Sequence, residues 1–247
     1  MLIVNADDWG RSRAETDAAA DCYRLGRITS TSAMVFMEDS ERAAEVAKSC
    51  GIDVGLHLNL SQRFTGAVTA GSRLCEYHER ICRFLNRSKF ALVLYNPLLR
   101  EQFRYVYQSQ AEEFYRLFGK ASSHIDGHQH MHLCSNLLID RVIPSGARIR
   151  RSFSFFPGEK GALNRAYRRW VDGRLAGHYR LADGFFSLSQ HLTAERFRRV
   201  AELARSATVE IAAHPGRPAE YDFLMSDTYR AMIENLQTST YATAGSR

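Results

Sequence analysis

The sequence is short of cysteine and of long apolar runs, and each shortage excludes a class of protein. Its five cysteines are irregularly spaced and include no Cys-x-x-Cys pair, which argues against a disulfide framework. No apolar run approaches the roughly 18 residues that a membrane-spanning helix needs. The opening MLIVNADDWG lacks the basic segment of a signal peptide. We therefore expect a cytoplasmic protein with no integral membrane segment.

Lysine is also scarce, so arginine supplies nearly all of the positive charge behind the formal net charge of +6. Arginines cluster in RIRRSF (148–153) and in RAYRRWVDGR (165–174). Such clusters suit a nucleic acid, an anionic substrate or an acidic membrane surface, and the alternative is an arginine-rich solvated surface. Because the sequence lacks the interleaved basic and aromatic residues typical of a nucleic-acid platform, we expect no nucleic-acid partner.

Short apolar segments alternate with helical ones along almost the whole chain, while residues 61 to 80 show no clean period and are predicted to form a loop. The strand-like segments are MLIVNA, ITSTSAMVF, IDVGLHLNL, SSHIDGHQ, ARIRRSF, GFFSLS and TVEIAAHPG. This alternation predicts an α/β protein with about seven mostly parallel strands. We expect residues 1–238 to form one distorted (β/α) barrel similar to a TIM barrel, with an open doubly wound sheet as the alternative. Residues 239–247 are expected to be a frayed tail.

Polar side chains lie where these predicted strands end. They are Asp7 and Asp8, His57 and Asn59, Asp126 and His128, Arg148 and Arg150, and His214. Each alone has a simpler explanation: Asp8 could cap a helix, His57 could be a buried core histidine, and His214 could belong to a turn. Together they matter more, because the carboxyl ends of parallel strands meet at one edge, where such folds build their sites.

The mixture of carboxylates and imidazoles at this edge indicates a metal-assisted hydrolase. Divalent metals take aspartate oxygen and histidine nitrogen, and catalytic sites use about three protein ligands with positions left open. One aspartate and two histidines would supply such a set, and the second aspartate would be free to act as a base. Adjacent side chains on a strand point to opposite faces, so a bend is needed for Asp7 and Asp8 both to reach the site.

The segment HIDGHQHMH (124–132) holds four histidines that cannot all be ligands. Alternate residues of a strand share a face, but only the position near the rim reaches a metal, which favours His128. Asp126 is a candidate to orient a ligand histidine. His124 is expected deeper in the interior, and His130 beside a substrate groove.

Five segments occur in a characteristic order and spacing: IVNADDWG, TSTSAMV, VGLHLNL, HIDGHQHMH and AAHPG. Together they resemble the YdjC-like carbohydrate deacetylase family, which includes chitooligosaccharide deacetylases and HpnK-like hopanoid-biosynthesis proteins, over about residues 1 to 236. The resemblance implies a distorted (β/α) barrel that removes N-acetyl groups from amino sugars with a divalent metal, usually magnesium. It also implies roles for five residues: Asp8, His57 and His128 as metal ligands, Asp7 as the base, and His214 as general acid or oxyanion partner.

The sequence therefore predicts a metal-dependent N-deacetylase that acts on an N-acetylated amino sugar, in an oligosaccharide or a glycolipid. Mg²⁺ is the expected ion and Zn²⁺ the alternative, because two imidazoles suit zinc. A metal-dependent phosphoesterase and a non-catalytic sugar- or metal-binding barrel remain alternative functions, and a homodimer is left open. The candidates for substrate contact or for support of the ligands are Asp126, Asn59, His130, Arg148 and Arg150.

Overall fold

A computed structural model describes residues 1–68, 71–88, 90–156 and 158–244. Within these ranges the strands are β1 (Leu2–Trp9), β2 (Ser30–Ala33), β3 (Asp53–Leu58), β4 (Ile125–Gly127), β5 (Gly184–Ser187) and β6 (Val209–Ala213). The helices are α1 (Arg13–Arg24), α2 (Ser40–Cys50), α3 (Arg73–Leu85), α4 (Arg100–Phe118), α5 (Ser135–Ile139), α6 (Ala162–Ala176), α7 (Ala194–Ala204), α8 (Pro218–Met225) and α9 (Asp227–Ile233).

The strands form one parallel sheet in the order β4-β3-β2-β1-β6-β5. The central strand β1 is buried along its whole length, as expected for a parallel sheet covered on both faces. The sheet curls into a half-barrel. The predicted α/β class with parallel strands is therefore confirmed.

The expected seventh strand and the closed barrel are not confirmed, because the described residues contain six strands. The segment 147–154, predicted as a strand, joins both edge strands without completing a ladder. Beside β4, the Ile125 N–H donates to the Arg148 carbonyl and the Arg150 N–H donates to the Ile125 carbonyl. Beside β5, the Ser154 N–H donates to the Phe185 carbonyl at 2.8 Å. Only an isolated bridge forms with β4, because β4 has three residues and the chain then turns through positive φ angles at Gln129 and His130.

Residues 61–80 contain the start of a helix that the sequence pattern did not reveal. Helix α3 begins at Arg73, where the Ser72 side chain accepts a hydrogen bond from the Cys75 N–H. Its buried face includes His78 beside Ile81. Because a histidine does not count as apolar in a periodicity pattern, the helical period was hidden.

The segment expected to fray is instead packed against the sheet as far as Tyr241. Leu2 N–H donates to the Gln237 carbonyl at 2.8 Å, and Ser239 N–H donates to the Leu2 carbonyl at 3.0 Å. Tyr241 is 3% exposed and stacks on His124 with ring centroids 3.8 Å apart. Burial of this aromatic ring orders the segment, while residues 245–247 lie outside the described ranges. Among the described helices, we find none with the length and apolar character needed to cross a membrane.

Candidate active site

The two aspartates at the end of β1 reach the same site from adjacent positions because the strand bends there. Asp8 has a φ of +67°, and the pairing of β1 with β2 shifts register between Ala6 and Trp9. Aspartate is one of the few residues other than glycine that adopts this left-handed conformation readily. The bend that the sequence analysis required is therefore present, and it separates the directions of the Asp7 and Asp8 carboxylates.

Asp8, His57 and His128 bring three potential metal-ligating atoms together. Asp8 Oδ1 lies 2.9 Å from His128 Nδ1 and 3.4 Å from His57 Nε2. All three residues are buried, and one potential ligand atom from each lies within 4.8 Å of the others. One carboxylate oxygen and two imidazole nitrogens form a donor set that fits Zn²⁺ and other borderline divalent ions. The residues present therefore fit a divalent cation.

His57 is oriented from behind by Asp126. His57 Nδ1 lies 2.8 Å from Asp126 Oδ1, which leaves Nε2 directed at Asp8, an arrangement common for metal-ligating histidines. Burial lowers the pKa of His57, but the neighbouring Asp126 and Asp8 outweigh it and raise the pKa to about 10. The carboxylates thus make the electrostatic potential at His57 negative enough to favour a positive charge there, and a metal cation at Nε2 would take the place of the proton.

The ionisation of Asp8 is set by the two histidines beside it. Burial raises the pKa of Asp8, but hydrogen bonds with His128 and His57 more than offset it, so the pKa lies well below its ordinary value. The Asp8 carboxylate is therefore ionised. An ionised carboxylate between two imidazoles is the form that a metal ligand requires.

Arg150 is the fully buried centre of the layer beneath these ligands. Its guanidinium holds Asp7 with two parallel hydrogen bonds of 2.7 Å, and it also lies 2.7 Å from Asp126 and from Glu210. Two parallel hydrogen bonds fix both the position and the orientation of the Asp7 carboxylate. A second group of possible metal ligands, Asp7 with His57 and Asp126, already contains this cation.

The charge of Arg150 also sets the ionisation of Asp7. Burial raises the pKa of the Asp7 carboxyl, but Arg150 outweighs it, and the pKa is lowered from its usual range. Asp7 receives a further hydrogen bond from Asn5 Nδ2 at 2.9 Å, and Ser32 Oγ lies 3.4 Å from its Oδ1. Asp7 is therefore an ionised, fixed carboxylate, and this form can accept a proton.

Glu210 and Tyr241 continue this layer downward. Arg150 Nε donates to Glu210 Oε1 at 2.7 Å, and the Tyr241 hydroxyl donates to the other carboxylate oxygen. Burial raises the pKa of Glu210 to about 7, although Arg150 acts in the opposite direction. The tail residue Tyr241 thus contacts the carboxylate that holds Arg150, which in turn holds Asp7.

His214, at the carboxyl end of β6, lies on the other side of Asp7. Its Nε2 is 3.9 Å from Asp7 Oδ2, and its Nδ1 is 3.6 Å from Glu220 Oε1. The buried Glu220 also accepts a hydrogen bond of 2.7 Å from the His214 backbone N–H, so the start of α8 fixes this turn. The His214 side chain is 21% exposed, so a substrate can reach it.

The remaining sequence candidates lie in different surroundings. Asn59 is buried and serves the loop after β3, because its Oδ1 accepts the Gln62 N–H at 2.9 Å and its Nδ2 donates to the Gln62 carbonyl. His130 packs against Phe153 with ring centroids 4.4 Å apart. Arg148 is not brought to the site. It lines a cavity at the amino ends of the strands.

Three residues of the site were not predicted from the sequence: Ser32, Glu210 and Tyr241. Ser32 donates to Asp126 Oδ2 at 2.9 Å and lies between the buried carboxylates of Asp126 and Asp7. A signal existed for Glu210, because TVEIAA places one acid within an apolar strand, and such an acid needs a buried partner. No local pattern marks Tyr241, since its role depends on a contact with a strand 31 residues earlier.

Together these features define an α/β protein with a carboxylate–imidazole centre at the carboxyl ends of its parallel strands. Comparison with known proteins places it more narrowly. The profile of the YdjC-like protein family matches residues 1–235. The chain belongs to the YdjC-like family.

Several curated relatives are similar over most of the chain. A carbohydrate deacetylase of Homo sapiens is 30% identical over 249 residues, which cover 88% of this chain and 75% of the relative. The Mus musculus carbohydrate deacetylase is 29% identical, covering 88% and 78%. A chitooligosaccharide deacetylase of Escherichia fergusonii is 28% identical, covering 87% and 81%.

A solved structure shows the same fold at low identity. It is a crystal structure of an Enterococcus faecalis protein proposed to cleave cellobiose phosphate, with a TM-score of 0.69 and 18% sequence identity. The alignment covers 97% of both chains. At this identity the similarity establishes the fold alone.

Proposed function

We propose that this protein is a metal-dependent carbohydrate N-deacetylase, which hydrolyses the N-acetyl group of an amino sugar in an oligosaccharide or a glycolipid. The observation that carries the proposal is the convergence of Asp8, His57 and His128 beside the ionised Asp7 held by Arg150. The names of the relatives, carbohydrate and chitooligosaccharide deacetylase, supply the reaction and the substrate class.

Asp8, His57 and His128 would hold the divalent ion, for which the family resemblance favours Mg²⁺ and the two imidazoles admit Zn²⁺. When bound, such an ion acidifies a water and polarises the acyl oxygen of the substrate. Asp126 keeps the His57 ring in the orientation that directs Nε2 toward the ligand set.

Asp7 acts as the general base and accepts the proton of the attacking water. Its carboxylate is ionised for the reasons given above, and Arg150 prevents its rotation by holding both oxygens. A base is effective only if it is already aimed at the proton it removes. In this proposal Arg150 is a positioning residue for Asp7 and does not touch the substrate.

His214 acts as the general acid and gives a proton to the amine that leaves the acyl carbon. It lies 3.9 Å from the base, measured from Nε2 to Asp7 Oδ2, so one substrate carbonyl can lie within reach of both. Glu220 lies 3.6 Å from the other ring nitrogen and favours the orientation in which Nε2 faces the site.

The surroundings of the arginines favour amide hydrolysis over phosphate ester hydrolysis. Phosphate esters are commonly held by arginine side chains that are free to contact the phosphate. Arg150 is surrounded by three carboxylates, and Arg151 lies 2.7 Å from Asp172. Neither guanidinium is therefore available to a phosphate at the site.

Acetate release tests the proposal. The protein is purified without chelators, its metal content is measured by elemental analysis, and acetate release is assayed on N-acetylglucosamine oligomers and on acetylglucosaminyl lipids with Mg²⁺ or Zn²⁺ added. We expect acetate from at least one substrate and loss of activity on chelation. Absence of acetate from every substrate, with metal bound, would reject the function, and a parallel screen with phosphate esters tests the alternative. The cytoplasmic location and the homodimer stay predictions.

A further inference from the structure

Helix α6 presents large apolar side chains to solvent. Leu163 is 88% exposed, Tyr167 47% and Trp170 61%. Their spacing places them on one side of the helix, whereas Val171 and Leu175 face the core. The Tyr167 and Trp170 rings pack against each other with centroids 6.3 Å apart. We refer to Leu163, Tyr167 and Trp170 as the α6 outer face.

Positive charge predominates along this helix. Between residues 160 and 176 the sequence has five basic residues and one acid. The acid, Asp172, is paired with Arg151 at 2.7 Å and does not reduce the charge presented outward. The Arg174 guanidinium lies 5.7 Å from the centre of the Trp170 ring, so cation and aromatic ring share the surface. Arg169 is also exposed, on the side of α6 that lines the adjoining cavity.

The positive region extends from α6 into an adjoining cavity. This cavity has a volume of about 690 Å³ and lies between α6 and the amino ends of the strands. Its lining includes four arginines and two aspartates, Arg148, Arg151, Arg169, Arg180, Asp172 and Asp183, of which Arg151 and Asp172 pair with each other. Because the carboxylate centre lies at the opposite end of the strands, these arginines belong to the α6 surface and not to the proposed reaction.

We propose that the α6 outer face docks on an anionic lipid surface. Tryptophan, tyrosine and arginine are suited to the zone between lipid headgroups and acyl chains, where an apolar body and a polar or charged tip are both accommodated. A helix with apolar and basic residues arranged this way binds acidic membranes in the interfacial plane. The proposal does not depend on the reaction catalysed.

Charge complementarity favours this occupant over the others. A second copy of the chain would bring an equally basic helix, and like charges would oppose the contact. A nucleic acid would complement the arginines, but Leu163 and Trp170 would face a phosphate backbone that offers no apolar surface. Anionic lipid supplies both the negative charge and the apolar layer.

The two tryptophans make the binding measurable in the intact protein. Trp9 is fully buried, at 0% exposure, and Trp170 is 61% exposed, so a change in emission on binding reports Trp170. The probe is vesicles of phosphatidylcholine with about one third phosphatidylglycerol. We expect a blue shift and co-sedimentation with these vesicles, weak binding to pure phosphatidylcholine, and loss of binding at about 0.5 M salt.

Two sets of variants locate the contact. Arg169→Glu with Arg174→Glu should weaken partitioning at least about tenfold, and Leu163→Ser should weaken partitioning at low salt without changing the charge of the protein. The matched charge control is Arg198→Glu with Arg205→Glu on and after α7, where both arginines are exposed. The matched apolar control is Leu98→Ser, at a site 84% exposed. Both controls should leave partitioning unchanged, with melting temperatures recorded for all variants.

Each other outcome overturns the proposal. Failure of the intact, folded chain to bind anionic vesicles removes it, and an equal loss in the control variants shows that α6 is not the contact. A dimer in sedimentation velocity that Leu163→Ser abolishes, without vesicle binding, assigns the face to a second copy. Binding to a DNA duplex in the absence of vesicle binding assigns the arginines to a nucleic acid.

Discussion

Replacing Arg150 with methionine should destabilise the protein more than any change to a neighbouring arginine. The substitution keeps much of the side-chain length but leaves Asp7, Asp126 and Glu210 buried without their shared cation. Arg150 and Asp126 are both fully buried, and the Asp7 side chain is 3% exposed. Water therefore cannot compensate for the lost guanidinium.

The magnitude follows from this burial. Removing one partner of a buried ion pair costs about 3–5 kcal/mol because an uncompensated charge remains. Three carboxylates share one guanidinium, so we expect a loss at the upper end of this range, unless Glu210 takes up a proton. The adjacent Arg151 is the matched control, since its pair with Asp172 has side chains 20% and 10% exposed. Arg151→Met should cost about 1 kcal/mol.

Urea unfolding at pH 8 measures both free energies, with the slope checked to ensure that the denatured state is unchanged. Adding Glu210→Gln to Arg150→Met removes one of the three charges and should recover part of the loss. Arg150→Lys should fall between wild type and methionine, because an ammonium cannot hold Asp7 with two parallel bonds. A cost for Arg150→Met no larger than that for Arg151→Met would refute the reasoning.

Three further predictions concern separate features. Asp7→Asn should retain the bound metal by elemental analysis but release acetate at least about 100-fold more slowly, and unchanged activity would exclude Asp7 as the base. Burial lowers the pKa of His78 to about 4. The unfolded chain therefore takes up this proton first as the pH falls from about 6.5, and up to about 3 kcal/mol of stability is lost by pH 4. His78→Gln should flatten that dependence in urea unfolding at several pH values; an unchanged slope contradicts the assignment. Gly55→Ala would place a Cβ 2.3 Å from His124 Cε1 and should cost about 1–3 kcal/mol, measured against wild type by urea unfolding; a neutral result would mean that His124 can move aside.

The sequence pattern predicted the parallel sheet well where each strand pairs fully. It predicted the ends of β1, β3, β4 and β6 as the site, and the structure brings the aspartates and histidines there together, whereas Asn59 serves a loop. The count of strands differed at 147–154, because strand formation depends on the length of the partner, and β4 is short. Local composition carries no information about that length.

The two arginines of this segment show the second limit. Arg148 and Arg150 are two positions apart, so a strand would direct both to one face, and both were expected at the edge where the substrate binds. A strand rises about 3.3 Å per residue, so two residues separate their depths by more than 6 Å. Arg150 therefore lies among the carboxylates, whereas Arg148 lines the cavity at the other end. Periodicity predicts the face of a side chain, but depth requires the register of the pairing.

The contact of Tyr241 with Glu210 has a consequence for the order in which the chain folds during synthesis. The first strand is completed by partners synthesised much later, because Leu2 forms hydrogen bonds with Gln237 and Ser239. Arg150 likewise donates to Glu210, which accepts a hydrogen bond from Tyr241. Contacts of such sequence separation form slowly, and a ribosome adds about 5–20 residues per second. In a nascent chain, the charged groups that the folded protein buries therefore stay exposed for several seconds. A chaperone would protect the chain most during the interval before residue 241 is made.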